Sequence, residues 1–305
     1  MGKLENASLR LVRLRSPDGR VHVGSVTGEE ISIHPTDDIL AAVAADQLPP
    51  ATDRLPLTDP DTCLPPEPWE LLAPLAPPET WAAGVTYERS RDARLQESQV
   101  ANVYDLVYDA ERPELFLKDA AGRRTVGPGE PIATRADSAW TVPEPELAVV
   151  LGAGGAPLAA TIGNDVSSRD IEGANPLYIP QAKIYAGACA LGPALLVAPD
   201  WSAPFEIGLR ILGEDGTLVF EGRTSTASMR RTIEELIEFL HRDNPVPAGS
   251  VLLTGTGLVP PDEVTLLPGQ TVEIEIPGIG VLRNPVAGLR GHGESATSHM
   301  VRTDG

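Results

Sequence analysis

The chain has 305 residues, 24 Lys+Arg against 43 Asp+Glu, a formal net charge of −19 and 42% hydrophobic residues. That apolar share excludes general disorder, and the length supplies one or two domains with a sizeable core. The acidic balance excludes a phosphate-tracking surface, so no nucleic-acid partner is expected. The only cysteines, Cys63 and Cys189, exclude a disulfide framework and a Cys-type zinc site, and both read as small buried hydrophobes.

In chain order, residues 1–20 scatter Lys3, Glu5, Arg10, Arg13 and Arg15 among apolar residues and carry no signal segment. The Ala/Leu-rich run Ala186–Ala198 is broken by Gly187, Gly192 and Pro193 and is too short to span a bilayer. The expectation is a cytoplasmic protein with no membrane partner. Alternation over Leu9–Arg15, a turn at Pro17-Asp18-Gly19, a return from Val21 and a short strand at Ile31–Ile33 predict a small β-rich unit. Thr36 or Asp37 is positioned to cap a short helix, Asp38–Asp46. Ten prolines between Pro49 and Pro78 predict an irregular surface connector, which sets the domain boundary near residue 76. The two expected domains are therefore 1–76 and 77–305.

The larger unit reads as mainly β. Strands are predicted at Glu114–Lys118, Pro145–Leu151, Leu158–Val166, Glu206–Leu212, Leu218–Glu221, Val251–Thr254, Thr271–Ile276 and Ile279–Asn284. Helices are predicted at Arg91–Tyr108 and at Ser228–Arg242, where Met229, Ile233, Leu236, Ile237 and Leu240 form one face. Gly291–Gly305 is a polar tail.

The most informative stretch is Val142-Pro-Glu-Pro-Glu-Leu-Ala-Val-Val-Leu151. Side chains two apart in a strand share a face, so Glu144 and Glu146 stand about 7 Å apart at Cα. Like charges there repel unless a cation or a proton intervenes. Pro143 and Pro145 donate no ladder bonds, which places the pair at a strand start or an edge. A hairpin centred near Gly154 puts Asn164 or Asp165 opposite Glu144. Three carboxylates with no His and no Cys suit a hard cation, Mg²⁺, with Mn²⁺ or Ca²⁺ as alternatives. The competing reading is two exposed edge glutamates and a turn aspartate.

Lysine is scarce: only Lys3, Lys118 and Lys183 occur. Lys183 lies in the apolar segment Asn175-Pro-Leu-Tyr-Ile-Pro-Gln-Ala-Lys-Ile-Tyr185. It reads as a proton-transfer group, as a cation for an anionic substrate, or as an ion-pair partner of Asp170 or Glu172. Arg169 and Asp170 read as braces of their loop.

Taken together, Gly84-Val-Thr-Tyr87, Pro113-Glu-Leu-Phe-Leu-Lys118, Glu144-Pro-Glu146, Gly163-Asn-Asp-Val-Ser-Ser-Arg-Asp170, Gln181-Ala-Lys183 and Leu253-Thr-Gly-Thr-Gly257 resemble, in order, the fumarylacetoacetate hydrolase superfamily. The likeness is strongest to its sugar-acid dehydratase branch, through Arg112-Pro-Glu114, Trp140–Val150, Asn175–Gly187, Met229-Arg-Arg231 and Arg242-Asp-Asn-Pro245. The resemblance implies an α+β, mainly β fold: a fumarylacetoacetase-like mixed β-roll behind a small N-terminal β-rich domain. It implies Mg²⁺ on Glu144, Glu146 and Asp165, a catalytic Lys183, a site position for Glu114 and Lys118, and a homodimer or homotetramer.

Hydrolytic members carry a His three residues after the tyrosine of the first motif. Here Ser90 stands there, and no His occurs between His34 and His241, which favours elimination over hydrolysis. The implied reaction is a Mg-dependent dehydration of a 2-keto-3-deoxypentonate to 2,5-dioxopentanoate through a metal-stabilised enolate. Lys183 is assigned as base and Glu114 as acid, with Tyr87, Arg91, Lys118, Gln181 and Thr256 as substrate-binding candidates. The alternatives are an acylpyruvate-type hydrolase, an oxaloacetate-type decarboxylase or tautomerase, and a catalytically idle keto-acid-binding protein.

Overall fold

The computed structural model describes residues 9–45, 47–88 and 107–289. Nearly all of the expected helix Arg91–Tyr108, with Ser90 and Arg91, and the expected tail Gly291–Gly305 lie outside them.

Short apolar runs bounded by Gly and Pro become strands. Pro145–Leu151 is buried at every residue, as a strand covered on both faces must be, and it pairs antiparallel with Pro157–Asp165 inside a large sheet. Hydrogen-bonded neighbours run in the order Asp53–Pro56, Glu30–His34, Val21–Thr27, Arg10–Arg15, Cys189–Val197, Pro157–Asp165, Pro145–Leu151, Val251–Leu253, Glu79–Gly84 and Glu114–Ala120. After Glu114–Ala120 the chain turns, and Thr125–Val126 pairs in parallel with Cys189–Val197 at the middle of that row. The sheet thus curls back on itself into a roll.

A five-stranded sheet, Leu218–Ser225, Glu206–Leu212, Thr271–Ile276, Gly280–Gly288 and Ile132–Thr134, covers one face of the roll. There Leu147 and Ile162 pack with Ile207, Leu209, Ile274 and Leu282. Alternation sends Ala148 and Val150 the other way, where they meet Leu11, Ile39, Leu191 and Leu253. Burial of these side chains contributes on the order of 1.5–3 kcal/mol for each large aliphatic. The mainly β mixed roll agrees with the expected fold class.

The chain departs from local expectation at four places. The helix runs over Ile233–His241 and not from Ser228, because Thr232 caps it by accepting from the Glu235 amide at 3.1 Å. Leu236, Ile237 and Leu240 still form its buried face, against Val149, Leu151 and Leu252, while Met229 bridges to Tyr87 outside the helix. The first helix, Ile39–Ala44, is capped by Asp38, whose carboxylate accepts from the Ala41 amide. The Pro-rich stretch is not wholly irregular: Asp53–Pro56 and Glu70–Leu72 add short strands to Glu30–His34 and Arg10–Arg15, with Pro56 closing the first of them. The Ala186–Ala198 run holds a central, fully buried strand, Cys189–Val197. Its register with Arg10–Arg15, Leu11 opposite Leu195, carries the sheet across residue 76. Cys63 and Cys189 are free and buried, and burial pushes their thiols up to about 11 and about 12.

Candidate metal centre

Of the two registers expected from the sequence, the one with Asp165 opposite Glu144 is observed. Pro145 pairs with Asn164, Glu146 with Gly163, and the Asp165 amide donates to the Glu144 carbonyl at 3.0 Å. One face of the two strands therefore carries Glu144, Glu146 and Asp165. All three are buried, and one carboxylate oxygen from each lies within 4.8 Å of the others. The glutamates stand at a strand start that is locally an edge, as expected. Val251–Leu253 flanks only Ala148–Val150, so Pro145 forfeits no ladder bond, and the backbone before Ala148 has a strand on one side alone.

Where Val251–Leu253 ends, Thr254-Gly-Thr-Gly257 turns toward the carboxylates. The Gly255 amide donates to Glu146 Oε2 at 2.6 Å. Gly255 has φ +90°, and a Cβ there would overlap Thr86 Oγ1, so glycine is what lets this amide reach the carboxylate.

Among the described residues, three cations close on the other two acids. Lys183 ends the short helix Ile179–Lys183. Its Nζ lies 2.7 Å from Glu144 Oε2, 3.0 Å from Asp165 Oδ2 and 2.6 Å from Ser167 Oγ. Arg169 Nη2 donates to Glu144 Oε1 at 2.7 Å. Lys118 pairs with Asp165 Oδ1 and donates to the Val166 carbonyl at 3.1 Å. Glu144 and Asp165 thus each face two cations, while Glu146 is held by a neutral amide. Burial, then the like charges of Asp165 and Glu144, push the Glu146 carboxyl well above the usual carboxylate range; Lys183 and the Gly255 amide pull the other way. A divalent cation among the three acids would remove that repulsion. The oxygen-only donor set fits a hard ion such as magnesium.

The remaining candidates surround this cluster unevenly. Glu114, Phe116 and Lys118 share one face of Glu114–Ala120, and Lys183 Nζ stands 5.6 Å from the Phe116 ring centroid. Glu114 lies directly over its cross-strand partner Gly84, where a Cβ would overlap its carboxylate. Tyr87 is buried, and its hydroxyl has no hydrogen-bond partner among the described residues. Burial, helped by the charge of Glu146, holds that phenol above its ordinary pKa. Lys118 is wholly enclosed, with its ammonium committed to Asp165 and Val166. The Thr256 hydroxyl donates to the Leu258 carbonyl at 3.1 Å. Gln181 is exposed, and its carbonyl accepts from Arg135 at 3.1 Å. Arg91 lies outside the described residues.

Three contributors were not read as site residues: Ser167, Arg169 and Gly255. Arg169, read as a loop brace, grips Glu144 and places Nε 4.0 Å from Glu172. Asp170 does brace its loop, accepting from the Ser138 hydroxyl at 2.6 Å and the Ala139 amide at 2.7 Å. The available signal was spacing: Ser167 lies two residues after Asp165, on strand geometry.

Residues 81–287 match the model of the fumarylacetoacetate (FAA) hydrolase C-terminal family. The chain is 50% identical over 220 residues to the 2-dehydro-3-deoxy-D-arabinonate dehydratase of Saccharolobus solfataricus, covering 70% of this chain and 73% of that protein. It is 48% identical over 214 residues to a probable 2-keto-3-deoxyxylonate dehydratase of Haloferax volcanii, with the same coverage of 70% and 73%. A solved 2-keto-3-deoxy-D-arabinonate dehydratase, complexed with magnesium and 2,5-dioxopentanoate, superposes with a TM-score of 0.81 at 38% identity, covering 92% of this chain and all of that one.

Proposed function

Because the chain belongs to the fumarylacetoacetate hydrolase family, we propose that it is a magnesium-dependent hydro-lyase that dehydrates a 2-keto-3-deoxypentonate to 2,5-dioxopentanoate. The observation that carries this reading is the buried Glu144–Glu146–Asp165 triad with the Lys183 ammonium bonded to two of its members. The two dehydratase relatives and the magnesium complex of a dehydratase of the same fold point to the same reaction class.

Glu144, Glu146 and Asp165 are the residues that would hold magnesium. When bound there, the ion supplies Lewis-acid polarisation of a 2-keto acid and so acidifies its C3 protons. The chain's own groups do the rest. Lys183 Nζ, once its ammonium has given up a proton and it stands as the neutral amine, takes the C3 proton. Glu114 gives its proton to the C4 hydroxyl, which leaves as water. The 5-hydroxy-2-keto-3-ene left behind tautomerises, a C5 hydrogen and the hydroxyl hydrogen passing to C3 and C4, to give 2,5-dioxopentanoate. Lys118 and Arg169 hold Asp165 and Glu144 against the charge they share. Tyr87, whose buried hydroxyl has an open bonding capacity among the described residues, donates to a substrate oxygen. Thr256, Gln181 and Arg91 complete the substrate-binding set. Ser90 at the position of the hydrolytic His leaves no water-activating imidazole there, which selects elimination.

We read the enzyme as cytoplasmic and as a homodimer or homotetramer, with residues 1–76 as a small domain that lends strands to the catalytic roll. Among the described residues no helix is long and apolar enough to cross a membrane. The deciding experiment incubates the purified chain with Mg²⁺ and a panel of 2-keto-3-deoxypentonates and acylpyruvates, read by product mass. Loss of one water, abolished by EDTA and restored by Mg²⁺, is the expected result. Pyruvate from an acylpyruvate, loss of carbon dioxide, or full turnover in excess chelator would overturn the assignment.

A further inference from the structure

Ser167 belongs to the Ser167-Ser-Arg-Asp170 motif and has no role in the reaction as derived so far. It is wholly buried in the strand Ser167–Ser168, opposite Val142, so its backbone is fixed by the hairpin that carries the triad. Its hydroxyl donates to the Asp165 carbonyl at 3.0 Å. A serine has one proton to give, so the oxygen lone pairs are left to accept, and Lys183 Nζ donates to them at 2.6 Å. This is the shortest of the three Lys183 bonds given above, and the only one to a group that carries no charge.

That difference matters once the carboxylates are committed elsewhere. Glu144 and Asp165, which also accept from Lys183, are both assigned to the cation. A lysine amine on a four-carbon stem, released by two of the acceptors given above, gains rotamer freedom. Ser167 competes for no cation and is locked as an acceptor by its own donated bond. We propose that Ser167 is the positioning residue for Lys183: it anchors the amine at the site when the triad holds its metal. This inference rests on the metal-triad reading above, and it extends that reading by naming what keeps the base in place.

The test compares Ser167→Ala, Ser167→Cys and Ser167→Thr in the full chain. With saturating Mg²⁺ and a 2-keto-3-deoxypentonate, the Ala and Cys variants should lose about 10- to 100-fold in kcat, the scale expected for a misplaced reacting group. Their KM and their Mn²⁺ affinity by electron paramagnetic resonance should stay at the wild-type values, with the fold retained by far-UV circular dichroism. Ser167→Thr, which keeps the hydroxyl, should recover most of the rate. Wild-type kcat in the Ala variant, or no recovery with Thr, would overturn the proposal. So would a parallel loss of Mn²⁺ affinity, because that pattern marks a merely structural role.

A second readout needs no substrate. Three lysines make a ¹³Cε-lysine spectrum simple, and Lys183→Met assigns the signal. With Mg²⁺ bound, the two ε-protons of Lys183 should be inequivalent in the wild type and in Ser167→Thr, and averaged in Ser167→Ala. Distinct ε-protons in the Ala variant would overturn the anchor whatever the substrate. Averaging in Ser167→Ala, together with a wild type that turns over no keto acid, would uphold the anchor and discard the dehydratase reading.

Discussion

Two clusters of charge in this molecule use the same residue types at similar distances and answer to different physics. On the five-stranded sheet, Glu273 meets Arg210 at 3.1 Å and Arg283 at 2.8 Å, and Glu275 meets Arg223 at 3.4 Å. Glu273 is buried, but the arginines of that ladder are at least half exposed, so water reaches each pair from the arginine side and its net contribution is small. Around Glu144 the acids and cations are all buried. Desolvation there penalises every charge, and only a complete set of partners offsets the cost. The buried cluster is therefore the one in which removal of a single group leaves an uncompensated charge, and the one in which an added cation can be held tightly.

The largest effect that would break this contrast is on the reaction. Lys183→Met, assayed with saturating Mg²⁺, should lower kcat by about 10²–10⁴-fold, the usual contribution of a positioned acid–base group. Far-UV circular dichroism should show the fold retained. Turnover near the wild-type rate would remove Lys183 from the chemistry. Next comes stability: Arg169→Met leaves Glu144 with one fewer cation in a dry site and should cost about 3–5 kcal/mol in denaturant unfolding. A loss below about 1 kcal/mol would mean that the cluster is solvated like the surface ladder. The smallest effect is the control, since Arg223→Ala should change stability by no more than about 0.5 kcal/mol and leave kcat untouched. A larger loss would erase the distinction between the two clusters.

Legibility followed sequence distance. The Glu144/Glu146 pair was readable because a strand repeats every two residues, while a hairpin with glycines at its tip narrowed the facing residue to Asn164 or Asp165 and the family resemblance chose Asp165. The helix face at Leu236, Ile237 and Leu240 was readable by the same kind of periodicity, although its start needed the Thr232 cap. The pairing of Arg169 with Glu144 was not readable, since Asp170 and Glu172 lie far nearer to Arg169 in the chain and Glu172 does approach it at 4.0 Å. Lys118 was placed in the site by its motif, yet its contact with Asp165 exists only because the sheet curls until Glu114–Ala120 returns to the central strands. Ala186–Ala198 was read only as too short for a membrane, because Gly192 and Pro193 hide a strand in any local reading.

The sequence by itself determined the acids, their spacing, the lone lysine near them and the strand-and-turn grammar that lines them up, all of which depend on torsional periodicity and turn chemistry within a few tens of residues. Only the tertiary structure decided which cation faces which acid, that Gly255 supplies an amide to Glu146, and that Ser167 accepts from Lys183. Those contacts join different elements, and their geometry follows from how the roll closes and excludes water, which no local pattern encodes.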